Sequence, residues 1–249
     1  MKVLGVIPAR YASSRFPGKP LAMIGGIPMV LRVWQQAGKC KELDHLIVAT
    51  DDSRILDIVQ NAGGTAMMTK AEHPSGTDRL CEVALAHPDY DVYINIQGDE
   101  PFLEPEVLSQ LISAMRNQEQ AEIATLVCPL RDTARLFSPN VVKVVKDEAD
   151  FALYFSRLPI PFVRDEPDHH LWVQRFHFLQ HIGIYAFRKE ALQRISVQKA
   201  GKLEVAESLE QLRWIEVGMR ILTLHTEAPG LAVDTPEDLI LAEQFLSKQ

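Results

Sequence analysis

Cations and carboxylates are unevenly spread along this chain, and their spacing suggests anion chemistry. The first acidic residue is Glu42, and before it come Lys2, Arg10, Arg15, Lys19, Arg32, Lys39 and Lys41. Arg10, Arg15 and Lys19 crowd one loop around Pro17 and Gly18, in a protein of formal charge -7. A compact basic patch on an acidic protein fits a phosphorylated small molecule better than a nucleic acid, which needs a broader basic face. Neither G-x-G-x-x-G nor G-x-x-x-x-G-K-[ST] occurs, so loop cations and backbone amides would have to hold the anion. A solvated basic loop is the plainer alternative.

Two carboxylate motifs could complete such a site. In VYINIQGDEPFLEP, Gly98 ends a strand and presents Asp99 and Glu100 at its carboxyl end. Mg²⁺ uses one or two carboxylates plus substrate phosphates, so this pair beside a cationic loop is chemically adequate, although it could equally favour the start of the next helix. In AVDTPEDL, Thr235 is a natural N-cap, Pro236 suits the first helical position and Asp238 completes a capping box. Asp234 has no capping duty and is the candidate second metal ligand.

Two further segments carry polar side chains at suggestive positions. In HPSGTDRL, Ser75 caps a helix, Gly76 permits close approach, and Arg79 would meet a phosphate or a carboxylate. In QHIGIYAF, His181, Gly183 and Tyr185 share a strand face, leaving a gap between two polar rings that would admit a ligand or simply hold core hydrogen bonds. The helix expected at 205–217, ending at Gly218, would bury Val205, Leu209 and Leu212 and turn Glu207, Glu210 and Gln211 to its polar side.

The elements that must position these residues alternate between strand and helix. Strands are predicted at 3–7, 46–50, 66–68 and 92–96, with helices at 28–37, 53–61, 75–86 and 104–115 between and after them. Strands at 122–127, 142–146, 181–187 and 220–225 and a closing helix at 236–246 complete an α/β fold with a mostly parallel sheet and helices on both faces. Within 92–97, Val92, Ile94 and Ile96 take one face and Tyr93, Asn95 and Gln97 the other. The alternation loosens at about 130–180, an irregular embellishment on what is expected to be a single domain of 1–249. His169 and His170 fall there, with no third metal ligand at suitable spacing.

The composition is 47% hydrophobic and 24% charged, ordinary for a soluble globular protein. No apolar run is long enough to span a membrane and no signal sequence opens the chain, so a cytoplasmic protein is expected. Cys40, Cys81 and Cys128 are too few and too scattered for a disulfide framework or a zinc site.

The ordered strings PARYASSRFPGKPL, HPSGTDR, NIQGDEP, PNVVKVV, ALYFSR, HIGIYAF, ESLEQLR and VDTPEDL resemble the cytidylyltransferases that activate 3-deoxy-manno-octulosonate (Kdo), from the first strand to the last helix. The resemblance implies a nucleotide-diphospho-sugar transferase-like mixed sheet with a smaller inserted dimerisation and sugar-binding region, a homodimer and a Mg²⁺ cofactor. It implies CMP transfer from CTP to the anomeric hydroxyl of Kdo, giving CMP-Kdo and pyrophosphate for lipopolysaccharide synthesis. By motif, Lys19, Asp99 and Asp234 would be catalytic, the two aspartates as metal ligands. Ala9, Arg10, Arg15, Lys19, Ser75 and Arg79 would bind the nucleotide, and Gln97, Arg157, His181, Tyr185, Glu210 and Gln211 the sugar. Many relatives carry Arg or Lys immediately before HIGIY, where this chain has Gln180; loss of a cation would suit the 8-amino analogue of Kdo. More remote alternatives are a CMP-sialate synthetase and a non-catalytic nucleotide-binding regulator.

Overall fold

The computed structural model describes residues 1–12, 16–227 and 230–247. Arg15 therefore lies outside the described residues. In chain order the elements are β1 (Val3–Ala9), the short hairpin β2 (Met23–Ile24) and β3 (Ile27–Pro28), α1 (Met29–Ala37), β4 (His45–Thr50), α2 (Ser53–Asn61), β5 (Thr65–Met68), α3 (Gly76–Ala86), β6 (Val92–Asn95) and α4 (Pro105–Asn117). They continue with β7 (Ile123–Pro129), α5 (Thr133–Phe137), β8 (Lys143–Lys146), β9 (Ala152–Ser156), α6 (Trp172–Arg175), β10 (Leu179–Arg188), α7 (Lys189–Ser196), α8 (Lys202–Glu207), α9 (Glu210–Glu216), β11 (Ile221–His225) and α10 (Pro236–Leu246).

The main path of the sheet runs β11-β7-β10-β6-β1-β4-β5, with β8 and β9 added beside β10. β1 pairs in parallel with both β4 and β6, so their carboxyl ends open on one edge, where open α/β sheets hold their ligands. β10 is inserted antiparallel between β6 and β7, which brings its amino end, not its carboxyl end, to that same edge. One face buries Val92, Ile94 and Ile96 against Val33, Ile55, Leu108 and Leu111 of α1, α2 and α4. The other buries Tyr93 and Phe187 against Leu80 and Val83 of α3, Leu192 and Ile195 of α7, and Leu212 and Trp214 of α9. The period-2 alternation of β6 is thus satisfied on both sides.

Several elements depart from the sequence expectation. Residues 205–217 form two helices, because Ser208 adopts a left-handed conformation with φ 51°. The break is held from outside: Arg157 donates from Nε to the Glu207 carbonyl at 2.6 Å and from Nη2 to the Ser208 carbonyl at 3.1 Å. Val205 in α8 is exposed and Gln211 in α9 is buried, reversing their expected faces, while Leu209 and Leu212 are buried as expected. The β2–β3 hairpin, α5, β9 and α7 were not foreseen. Within 130–180, β8 and β9 extend the sheet, and Leu130, Leu136, Trp172 and Phe178 form a local core. Cys40, Cys81 and Cys128 are free thiols and buried. Among the described residues no helix is long and apolar enough to cross a membrane.

A small separate core decides where the functional loops sit. Ile24, Met29, Val233 and Ala242 are buried together, with Phe16, Phe102, Leu231, Leu239 and Leu246 packed against them. It gathers the loop after β1, the β2–β3 hairpin, the loop after β6 and α10. Ile24→Ala is expected to lower unfolding free energy by about 2–5 kcal/mol, the range for a buried aliphatic truncation, as measured by urea denaturation.

Candidate active site

At the carboxyl edge of β1, Ala9 is buried and pairs with Thr50 of β4. Beyond it the chain turns back at Gly18, whose N–H donates to the Tyr11 carbonyl at 3.0 Å and whose φ of 73° suits glycine. That turn delivers Lys19. Its ammonium donates to Asp99 Oδ2 at 2.7 Å and to Asp234 Oδ1 at 3.1 Å. The two carboxylates come from loops far apart in sequence, joined by a Val233 N–H to Asp99 carbonyl bond of 2.8 Å. Gly98 permits the packing, since a Cβ there would lie 2.7 Å from the Pro8 carbonyl oxygen.

Local capping then fixes Asp234. Asp238 Oδ2 accepts from the Asp234 and Thr235 N–H groups at 3.0 and 2.9 Å, and Thr235 Oγ1 accepts from Asp238 N–H, the capping box expected from the sequence. Asp99 caps no helix; Glu104 occupies the N-cap position of α4. Glu100 is buried, and its carboxyl is pushed up to about 8 by that burial and by the neighbouring Asp99 charge.

These residues fit a divalent cation. Asp99 and Asp234 both reach a single point now held by the Lys19 ammonium, and two hard oxygen ligands there leave the remaining positions to phosphates and water. No group of three metal-donor side chains occurs among the described residues.

On one side of this cluster stand the nucleotide candidates. Ser75 caps α3 as expected, its Oγ accepting from Asp78 N–H at 3.2 Å. Arg79, one turn in, is 2% exposed, donates from Nη1 to Thr69 Oγ1, and lies 3.6 Å from Asp51 Oδ2 through Nη2. Burial lowers its pKa, Asp51 and Glu82 oppose that, and Arg10 reinforces it. Arg10 itself is exposed. Sequence reasoning missed Asp51 and Thr69.

On the other side lies a group of polar side chains on and beside β6 and β10. Gln97 Nε2 donates to the Gly183 carbonyl at 2.7 Å, and the β10 ladder is irregular between Ile182 and Tyr185. His181 and Tyr185 stay together, with ring centroids 5.2 Å apart. Thr125 Oγ1 lies 3.1 Å from His181 Nε2 and bonds the Ile182 and Ile184 carbonyls at 3.1 and 2.9 Å. Because those carbonyls take the hydroxyl proton, Nε2 is the donor to Thr125 and Nδ1 keeps a lone pair. Burial pushes the imidazole down to about 3, so it is neutral.

Glu210 is raised by burial against opposing hydrogen bonds from Thr77 and Ser75, which ties it to the amino end of α3. Tyr185 is raised by burial and by Glu210. The Tyr185 hydroxyl, Glu210 Oε2 and Asn95 Oδ1 are buried without hydrogen-bond partners. Asn95 pairs with Tyr185 across the sheet and was missed as a site candidate, although it shares the Gln97 face. Gln211 is buried at the start of α9.

Arg157 is engaged mainly with backbone carbonyls. Besides Glu207 and Ser208 it donates from Nη1 to the Pro139 carbonyl at 2.8 Å, so its fork braces backbone. Gln180 accepts from Arg135 Nη2 at 2.8 Å, on the strand face opposite His181. The side chain at position 180 is thus turned away from His181 and Tyr185. His169 stacks on Phe137 at 5.3 Å.

A family model described as Cytidylyltransferase matches residues 4–221. A 3-deoxy-manno-octulosonate cytidylyltransferase of Acaryochloris marina is 44% identical over 248 residues, covering 100% of this chain and 98% of the relative. Its namesake in Bacteroides thetaiotaomicron is 46% identical over 253 residues, covering 100% of both. The solved structure of a CMP:2-keto-3-deoxy-manno-octonic acid synthetase complexed with CTP matches with a TM-score of 0.93 and 42% identity, covering 100% of this chain and 99% of that one. A 4-diphosphocytidyl-2C-methyl-D-erythritol synthase from Anaerococcus prevotii shares the fold at 15% identity and a TM-score of 0.64, over 99% of both chains.

The neutral His181 has a consequence for stability. Its folded pKa lies below the unfolded value of 6.5, so its contribution is present above 6.5 and is lost as pH falls toward 3. His181→Gln is expected to flatten the decline in urea midpoint between pH 6.5 and about 4 relative to the parent protein.

Proposed function

The chain belongs to the 3-deoxy-manno-octulosonate cytidylyltransferase family and transfers CMP from CTP to Kdo, and on that premise we propose how its residues divide the work. The anomeric hydroxyl of Kdo gives up its proton to solvent as its oxygen bonds to the α-phosphorus of CTP, the bond from that phosphorus to the bridging oxygen breaks, and pyrophosphate leaves. Such a displacement depends on alignment and on neutralising phosphate charge. The convergence of Lys19, Asp99 and Asp234 at one point of the sheet edge is the observation that carries the assignment.

Ala9, Arg10, Ser75 and Arg79 bind the nucleotide, with Arg15 assigned by motif alone. Lys19 moves from the carboxylates to the phosphates when substrate arrives and stabilises the charge that develops there. Asp99 and Asp234 hold Mg²⁺, which when bound neutralises the triphosphate and polarises its oxygens. Gln97, His181, Tyr185, Glu210 and Gln211 bind the sugar. His181 Nδ1 accepts from a sugar hydroxyl, and the unpaired Tyr185 hydroxyl and Glu210 oxygen take others. Arg157 supports this wall through Glu207 and Ser208 and meets the sugar carboxylate with its remaining N–H groups.

The product serves lipopolysaccharide synthesis, in the cytoplasm, where free thiols persist. The active form is a homodimer. Its support is the exposed apolar surface of Leu153, Leu158, Phe162 and Phe176 in the embellishment.

Pyrophosphate release should be fastest with CTP among the nucleoside triphosphates and should require Kdo. Lys19→Met is expected to lower kcat by about 10²–10³, the loss from removing one transition-state donor, and to lower the urea midpoint because Asp99 and Asp234 lose their shared cation. An unchanged kcat would remove Lys19 from the phosphate site.

A further inference from the structure

Asp51 has no role in the assignments above, yet it touches two of their parts. It follows β4 directly and so emerges beside Ala9 at the sheet edge. Its Oδ1 accepts the Tyr11 N–H at 3.1 Å, and its Oδ2 lies 3.6 Å from Arg79 Nη2. The Asp51 side chain is 9% exposed and that of Arg79 2%. Thr69 holds the other guanidinium nitrogen and is itself fixed, its Oγ1 donating to the Thr50 carbonyl at 3.0 Å. The separation from Asp51 gives an ion pair without a hydrogen bond, so Nη2 is a buried donor with no acceptor. Leaving such a donor unsatisfied is unfavourable, and a ligand acceptor would relieve it.

We propose that Asp51 is a positioning residue for base recognition: with Thr69 it locks the Arg79 guanidinium so that Nη2–H is presented to an acceptor on the nucleobase. This rests on the reading that Arg79 lies at the nucleotide. Cytosine offers adjacent acceptors at O2 and N3, whereas uracil places an N3–H donor between two carbonyl oxygens. A fixed donor fits the first edge and opposes the second; a guanidinium free to swing would find a uracil carbonyl instead. The lock therefore favours CTP over UTP.

The same carboxylate reaches the phosphate end. Tyr11, held by its N–H, accepts at its carbonyl from Gly18 N–H at 3.0 Å, and Gly18 precedes Lys19. Arg54 packs over the Tyr11 ring, 3.7 Å from its centroid. One side chain thus sets both the base contact and the turn that aims Lys19.

The test compares Asp51→Asn, Thr69→Val and Arg79→Lys with the parent enzyme, by pyrophosphate release at saturating Kdo with CTP and with UTP. Asp51→Asn keeps an acceptor for Tyr11 N–H but loses the charge facing Arg79. It should raise KM for CTP about tenfold, hold kcat within about threefold, and lower the CTP:UTP ratio of kcat/KM by about fivefold or more. Thr69→Val loosens the same guanidinium without touching the carboxylate and should move KM and the ratio in the same direction, which carries the test if Asp51→Asn does not fold. A purely structural role would lower kcat alike for both nucleotides and leave KM and the ratio unchanged, and that result overturns the proposal. Arg79→Lys removes the planar fork. If it leaves KM for CTP unchanged, the nucleotide reading of Arg79 falls; if it raises KM while Asp51→Asn and Thr69→Val do not, only the positioning role falls.

Discussion

An ammonium held between two carboxylates organises this molecule. Lys19 meets Asp99 and Asp234 at 2.7 and 3.1 Å, across sequence separations of 80 and 215 residues. Asp99 and Asp234 converging on one point would repel each other without a cation, and the lysine supplies that charge while substrate is absent. Partial burial strengthens the arrangement, since the Lys19 side chain is 15% exposed. The geometry is maintained by apolar contacts away from the charges. The cluster around Ile24, Met29, Val233 and Ala242 ties together the three segments that deliver them.

From that point the site extends in two directions along the sheet edge. Toward β4, Asp51, Thr69 and Arg79 form a buried, charge-balanced support beside Ala9. Toward β10, the antiparallel insertion presents Gly183 to Gln97 and keeps His181 against Thr125 and Tyr185. Ser75 joins the two halves, because the residue that caps α3 also bonds Glu210. Buried atoms without hydrogen-bond partners occur among the candidates for both substrates, Arg79 for the nucleotide and Tyr185 and Glu210 for the sugar, with Asn95 beside Tyr185.

What the sequence made legible was local. The apolar runs of β1, β4 and β6, their alternation with α1, α2 and α4, and the caps at Ser75 and Thr235 rest on period and short-range hydrogen bonds, and each stands where expected. Asp234 stood out because it had no capping task beside Thr235 and Asp238, but its pairing and that of Asp99 with Lys19 were not legible, since they span 215 and 80 residues. The break at Ser208 was not, because it depends on the fork of Arg157, 51 residues away, bonding its carbonyl. The insertion of β10 between β6 and β7 is likewise a long-range pairing without a local signature. Asp51 escaped notice because an acidic residue after a strand resembles any turn residue; only the buried guanidinium facing it gives it meaning. For α7 the signal was present, since Ala191, Leu192 and Ile195 have helical spacing and are buried.

The central claim is that Asp99 and Asp234 together form the divalent-cation site of the enzyme–CTP complex. Electron paramagnetic resonance of Mn²⁺ added to the protein with CTP tests it without relying on turnover. Protein-dependent broadening of the Mn²⁺ spectrum is predicted for the parent enzyme with CTP and should be lost in both Asp99→Asn and Asp234→Asn. Undiminished broadening in both variants would contradict the account.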